Sequence, residues 1–348
     1  MLADVSPTIR PSQTSSNSRT PTATMSSRLA HTLLADIGAT NARFALAAGG
    51  VPGPVAGFEV ARHARFADAA TEFLKQHDGQ GPVTDAFIAA AGPVEDGRCV
   101  LTNCAWTIDA EDLRTTLGLA RVRVLNDFEA TARSLPSLAA KDLHPIGRGR
   151  AMAGTPMAVL GPGSGLGVAG LATAADGPVV IASEGGHATM APTTDREAAL
   201  IEHLRRQFGH VSAERLISGP GLENIYQASA ALDHVEVPPR NAADITRAAL
   251  ADQCPTAHVA LDAFCAFLGT FAGNVALTFG ARGGIFIAGG IAPRIVDFMA
   301  RSQFRERFEA KGRFRPYLEA IPTSIIVHPA ATFVGLASLA REVARSVA

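Results

Sequence analysis

Lysine is scarce in this 348-residue chain: of 31 basic residues only Lys75, Lys141 and Lys311 are lysines. None follows a glycine. The Gly-Lys pair of a P-loop is therefore absent, and a nucleotide would have to be held by another kind of loop. Cysteine is scarce as well. Cys99, Cys104, Cys254 and Cys265 include no CxxC pair, which argues against a structural zinc site or a thioredoxin-like motif and fits reduced thiols in a cytoplasmic protein. Net charge is also missing. With 31 basic and 32 acidic residues the formal charge is −1, so no general electrostatic pull toward nucleic acid or an anionic membrane is expected. The one long uncharged run, 263–281, is long enough to consider as a membrane span. It contains Gly269, Thr270, Gly273, Asn274 and Gly280 between Asp262 and Arg282, and reads as a buried core helix. No secretory apolar segment is present.

What remains is the composition of a folded protein. Hydrophobic residues make up 47% and charged residues 18%, enough to exclude global disorder, and the length suggests about two domains. Fifteen of the first 28 residues are Ser, Thr or Pro. They read as a disordered tail, with a transit segment or a true start at Met25 as alternatives.

Strand and helix patterns alternate from there on. Strands are predicted at 32–37, 44–47, 83–91 and 122–125, with helices at 66–76 and 111–117 between them. A second series follows: a strand at 157–160, a hairpin through Val168 and Val180 around an Asp176-Gly177 turn, a helix at 196–208, and strands at 284–288 and 324–327. The class is α/β. Each half opens with a strand, a glycine turn and a hairpin.

Three glycine turns end buried strands. In the first, Asp36-Ile37-Gly38-Ala39-Thr40-Asn41, small residues let backbone amides approach a phosphate, and the carboxylate could hold magnesium through water. Such a turn also occurs in ordinary hairpins. The second is Gly161-Pro162-Gly163-Ser164-Gly165-Leu166-Gly167. Gly165, Gly167 and Gly170, with Glu184 beyond, mimic a dinucleotide fingerprint, but that fingerprint needs a helix where this sequence reads as strand. The third, Gly283 to Pro293, places Gly289 and Gly290 where a flat ligand could lie against backbone; tight packing explains it equally well. Together the three describe a nucleotide cleft between two similar halves.

Polar residues cluster near these turns. Asn126 and Asp127 end a strand before a helix expected to start near Glu129. Asp127 could cap that helix or accept a proton from a substrate hydroxyl. Glu184 and His187 flank two glycines. Glu214 follows Ser212, which could cap a solvated helix. Carboxylates and amides without cations suit a neutral polyol, whose hydroxyls they can bind bidentately.

Six blocks carry a family likeness: Asp36 to Arg43, Leu101-Thr102-Asn103-Cys104-Ala105-Trp106, Leu125 to Phe128, Glu184 to His187, Gly209 to Arg215, and Leu216 to Leu222. In this order and spacing the chain, from about residue 31 to its end, resembles the bacterial ATP-dependent glucokinases of the hexokinase–actin superfamily. The resemblance implies an α/β fold of two actin-like (ribonuclease H-like) domains flanking a cleft. The tail would be 1–28, the small domain 29–137 plus 328–348, and the large domain 138–327. It implies ATP and Mg2+ as cofactors and glucose as substrate, with Asp127 as general base and Asn126, Glu184, His187 and Glu214 as sugar ligands. Ala35, Asp36, Ile37, Gly38, Ala39 and Thr40 would form the first phosphate loop, with Asp36 toward the metal. Gly163, Ser164 and Gly165 would form the second, and Gly289 and Gly290 would approach the adenosine. It also implies a cytoplasmic homodimer without nucleic-acid or membrane partners. Two departures stand out: Ala39 where glycine is usual, and Ser164 where threonine is common.

Two rivals share parts of this pattern. A sugar-sensing repressor would need a helix-turn-helix ahead of the body, and residues 1–28 are too short for one. An acyl-phosphate-forming kinase would want arginines for its carboxylate substrate, and the cluster here is acidic.

Overall fold

A computed structural model of the chain describes residues 30–38, 40–101, 104–175 and 177–347. The expectations for residues 1–28, Ala39, Thr102, Asn103 and Asp176 lie outside the described residues.

The first half contains strands β1 (His31–Ile37), β2 (Asn41–Ala48), β3 (Val51–Pro52), β4 (Ala56–Glu59), β5 (Val83–Ala90), β6 (Val94–Glu95), β7 (Arg98–Val100), β8 (Thr107–Asp109) and β9 (Arg121–Asn126). Its helices are α1 (Phe66–Gln76), α2 (Ala110–Thr116) and α3 (Asp127–Ser134). β1 is buried on both faces through Leu33, Leu34, Ala35 and Ile37, as a central strand must be. It pairs antiparallel with β2 and parallel with β5, which pairs parallel with β9. In register, Ile37 lies beside Ala90 and Ala90 beside Asn126. The first glycine turn and the Asn126-Asp127 pair therefore leave the same end of the sheet, on either side of β5, at the carboxyl ends of parallel strands, where α/β folds place ligands.

The second half contains β10 (Leu143–Ile146), β11 (Met157–Pro162), β12 (Leu166–Ala174), β13 (Gly177–Ser183), β14 (Gly284–Ile287) and β15 (Thr323–Ile326). They form one sheet in the order β10-β15-β14-β11-β12-β13. Its helices are α4 (Asp195–Phe208), α5 (Gly219–Leu232), α6 (Ala242–Leu250), α7 (Pro255–Phe279), α8 (Val296–Arg301), α9 (Phe304–Glu309) and α10 (Arg315–Glu319). β11 and β14 run parallel, with Leu160 beside Ile287, so the second and third glycine turns also emerge together. The uncharged run forms the heart of α7. Pro255 opens this helix, Gly280 closes it in the left-handed region, and Phe264, Phe267 and Leu268 are fully buried.

The last helix, α11 (Ala331–Val347), packs Phe333, Leu336 and Ala337 against Leu34, Ala45 and Phe87 of the first sheet. It also lies directly on α3: a Cβ on Gly335 would come 1.7 Å from the Ala130 carbonyl oxygen. α3 is shared between the two halves. Ala130 belongs to the core of the first sheet, and Ala132 to a core with Val159, Ala169 and Leu171 of the second. The chain passes between the sheets twice, at 135–142 and at 327–330. The two passages are joined by the Val327 amide donating to the Asp142 carbonyl at 2.8 Å.

The structure departs from the sequence reading in several places. α3 begins at Asp127, two residues before Glu129, because Asn126 caps it. Strand β11 continues through Pro162 and β12 resumes at Leu166, so the second turn shrinks to Gly163-Ser164-Gly165. Ser212 caps only a single 3-10 turn, Ala213–Arg215. Strands β6 to β8 form a small separate sheet; at two or three residues each they are too short to show a period. The sequence reading also lacks helices α5, α6, α8, α9 and α10.

Candidate active site

Two groups of side chains meet at the strand ends. On the first sheet, Asp36 sits opposite Arg43 in the β1–β2 register. Arg43 Nε and Nη2 both donate to Asp36 Oδ2, the former at 3.1 Å. The Gly38 amide donates to the Asn41 carbonyl at 3.0 Å and closes the turn, while Thr40 is exposed beyond it. A hollow of about 580 Å³ opens beside this turn, lined by Thr40, Asn41, His63, Cys104 and Trp106 among others.

Asn126 has two structural duties. Its Oδ1 accepts from the Phe128 amide at 2.8 Å, and its Nδ2 donates to the Gly92 carbonyl at 3.0 Å. This ties the ends of β5 and β9 together. Asp127 Oδ1 accepts from the same Phe128 amide at 2.9 Å. Partly open to solvent but deep between the sheets, its carboxyl is pushed up to about 7, chiefly by burial. The negative charges of Asp36 and Glu184 raise it further, and the Phe128 amide opposes the shift. One carboxylate thus feels an acid from each half.

On the second sheet, β13 runs directly into Glu184, whose side chain is 68% exposed. His187 follows after one 3-10 turn. Its Nε2 stands 3.9 Å from Glu184 Oε2 and its Nδ1 4.0 Å from Glu214 Oε1. These gaps exceed a hydrogen bond. Glu214 Oε2 accepts from the Leu166 amide at 2.9 Å. A Cβ on Gly165 would fall 2.6 Å from that same oxygen, so the glycine makes room for the glutamate. The turn is closed by the Gly163 amide donating to the Gly165 carbonyl, and tied to α5 by the Gly219 amide donating to the Gly163 carbonyl, both at 2.8 Å. Ser164 stands exposed at its tip. Gly289 has φ +82°, and its Cβ would meet the Pro162 carbonyl oxygen at 2.3 Å, which binds the third turn to the second. Gly290 is exposed and faces open space.

A model of the glucokinase family matches residues 33–343. The chain belongs to the glucokinase family. A glucokinase of Paramagnetospirillum magneticum is 47% identical over 311 residues, 88% of this chain and 96% of that protein. A solved glucokinase from an Antarctic psychrotroph superposes with a TM-score of 0.80 at 35% identity, covering 89% of this chain and 98% of the other. A glucokinase of the ROK family from Streptomyces griseus, solved with glucose and AMPPNP, gives a TM-score of 0.61 at 19% identity over 90% and 99% of the two chains. At that distance it carries the fold alone. The fold is α/β, with two actin-like units flanking a cleft, and the chain is an enzyme of the glucokinase family.

In this glucokinase-family fold, Ala35, Asp36, Ile37, Gly38 and Thr40 gather with Asn126 and Asp127 on the first sheet. Gly163, Ser164, Gly165, Gly289, Gly290, Glu184, His187 and Glu214 gather on the second. Among the described residues no group of three or more His, Cys, Asp or Glu side chains is placed to hold a metal ion. Asp36 is a single carboxylate with one oxygen engaged by Arg43. That fits a magnesium ion carried mainly by phosphates and water, with one protein acid at its edge. Sequence reasoning assigned no role to Arg43 or Phe128. The register of a hairpin turning at 38–41, with Ile37 beside Ala42, sets Arg43 against Asp36. For Phe128, a packing partner distant in sequence, no local signal existed.

Proposed function

We propose that the chain transfers the γ-phosphoryl group of ATP to the 6-hydroxyl of D-glucose. The reading rests on the Asp127 carboxyl, which faces Asp36 from one sheet and Glu184 from the other and is pushed up to about 7, chiefly by burial. An ordinary aspartate is too weak a base to take a hydroxyl proton effectively; one near 7 is matched to the task at neutral pH. The 6-hydroxyl donates to Asp127, which accepts its proton as the oxygen attacks phosphorus. The gaps of about 4 Å around His187 suit sugar hydroxyls bridging Glu184, His187 and Glu214. Asn126 holds Asp127 in place and keeps a second N–H for the sugar. Phosphates lie on the backbone amides of the turns at Gly38–Thr40 and Gly163–Gly165, with adenosine beside Gly289 and Gly290. Asp36 would hold a magnesium ion at its edge, and the bound ion would supply charge neutralisation for the transferred phosphoryl group. Residues 29–137 with 328–348 form one wall of the cleft and 138–327 the other. The enzyme works as a cytoplasmic homodimer.

A coupled assay with glucose, mannose and fructose as acceptors, and with ATP, ADP and polyphosphate as donors, tests the assignment. Glucose with ATP gives the highest kcat/KM. Asp127→Ala loses about 10²–10⁴-fold in turnover while glucose still binds. Near-normal turnover in that variant removes Asp127 as the base.

A further inference from the structure

Gly161 and Gly167 face each other as direct cross-strand partners in the β11–β12 hairpin, one pair outside the Pro162–Leu166 pair that closes onto the Gly163-Ser164-Gly165 turn. Neither glycine has a positive φ. Any residue could adopt their backbone, so conformation does not explain them. Packing does. A Cβ on Gly167 would lie 1.9 Å from Cδ2 of the Phe128 ring, and its three nearest neighbours are all atoms of that ring. A Cβ on Gly161 would lie 2.8 Å from Phe128 Cζ, and also within 2.9 Å of Ala288 and Gly289 backbone. The two missing side chains make a slot directly beneath the second phosphate turn, and the ring of Phe128 fills it. An aromatic ring over a glycine pair restores the packing that a strand loses where it has no side chains.

Phe128 is also the residue whose amide donates to Asp127 Oδ1 and Asn126 Oδ1. Its backbone therefore holds the carboxylate, while its ring is locked under the turn on the opposite sheet. We propose that Phe128 is a positioning residue that sets the spacing between the Asp127 carboxylate and the Gly163–Gly165 turn, and so the in-line distance from sugar hydroxyl to transferred phosphoryl group. This rests on Asp127 acting as the base. Transfer from a bound nucleotide is sensitive to such spacing, because displacement by about 1 Å can cost on the order of 10²-fold in rate. Of the proposed glucose ligands, Glu184, His187 and Glu214 stand apart from the ring of Phe128, and Asn126 meets only its backbone amide, which Phe128→Ala keeps.

The test is size compensation. Phe128→Ala, Gly167→Ala and the double variant are purified, and the active fraction of each is counted by glucose titration. The positioning role predicts that Phe128→Ala and Gly167→Ala each lose about 10- to 100-fold in kcat, with the glucose dissociation constant changed less than about threefold. The double variant recovers at least about tenfold over Gly167→Ala, because the new methyl then has room. The pH profile of kcat/KM in Phe128→Ala keeps its acidic limb near pH 7 at a lowered plateau. Unchanged kcat in Phe128→Ala overturns the proposal. So does a Gly167→Ala variant equally impaired with and without the ring, or a loss confined to the active fraction. Asp127→Asn, assayed alongside, separates the two questions. If it retains turnover the general-base reading fails, whatever the slot variants do; if it is inactive and the slot variants are normal, only the positioning role fails.

Discussion

Arg43 and Asp36 face each other across the first hairpin, and the same guanidinium donates through Nη1 to the carbonyl of Pro329, 286 residues away, at 3.0 Å. Its Cζ also lies 5.7 Å from the Phe333 ring centroid. One side chain thus joins the acid of the first glycine turn to the entrance of α11. The pair is partly solvated, with Arg43 39% and Asp36 13% exposed, so the charge attraction by itself is modest. Arg43→Ala is expected to cost about 1–2 kcal/mol in urea unfolding, mostly through the lost bonds to Asp36 and Pro329. Arg43→Lys should recover little, since an ammonium cannot span both partners in the guanidinium's planar geometry. Both variants should raise KM for the magnesium–nucleotide more than KM for glucose.

With Asp127 as the proposed base, its protonation affects activity and stability with opposite signs. Its native carboxyl lies near 7, against 3.8 ordinarily, so the fold favours the protonated form. The associated stability is complete below about pH 4 and drains away as pH rises to 7; above that a poorly solvated charge is held at a cost on the order of 4 kcal/mol. The proposed general-base role needs that charged form. We expect kcat/KM to rise through about pH 7 while urea stability falls over the same range. Asp127→Asn should be more stable than the native enzyme at pH 8, and the gap should shrink toward pH 5. An equal gap at both pH values contradicts the assignment.

The two neighbouring glycines of the third turn should behave differently. Gly289→Ala forces a left-handed backbone on a residue with a side chain and drives a Cβ toward the Pro162 carbonyl. It should lose roughly 2 kcal/mol or more of stability, read as a lowered Tm. Gly290→Ala meets no atom within 4 Å and should leave stability within about 0.5 kcal/mol. Any rise in its KM for ATP then reports contact with the nucleotide rather than damage to the fold.

The four thiols are all free and fall into two classes. Cys99 and Cys265 are buried, Cys104 and Cys254 partly accessible. Burial pushes the Cys265 thiol up to about 12 and raises Cys99, which the nearby charge of Asp127 raises further. Since the thiolate is the reactive form, a disulfide reagent should titrate no more than two thiols quickly in the native enzyme and all four in denaturant. Rapid modification of Cys99 in native protein would contradict this placement.

The legible parts of the fold are those with a local cause. The hydrophobic runs at 32–37, 83–91 and 157–160 become strands because they are buried on both faces, and the pattern at 66–76 matches α1 at both ends. The strand–turn junctions at Gly38, Asp127 and Gly289 are readable because a glycine or an acid stands at the end of a hydrophobic run, and at Gly289 the positive φ requires the glycine. Other features have distant causes. Gly167 looks like a member of a phosphate turn or a dinucleotide fingerprint, and only the ring of Phe128, 39 residues earlier, explains it. Asn126 reads as a ligand, yet two of its bonds serve the Gly92 carbonyl and the start of α3. The meander β6–β8 has strands too short for any alternation to declare them.

The two passages between the sheets also constrain how the molecule can move. A body attached at one point can swivel about any axis; a body attached at two can turn only about the line through both. The passages at 135–142 and 327–330 are bonded to each other through Val327 and Asp142, and α11 lies flush on α3 beside them. Sliding of one sheet over the other would tear that seam, whereas rotation about it leaves it intact. The joint works like a door hung on two pins. Rotation about that seam would carry the Glu184–His187–Glu214 group along an arc relative to Asp36.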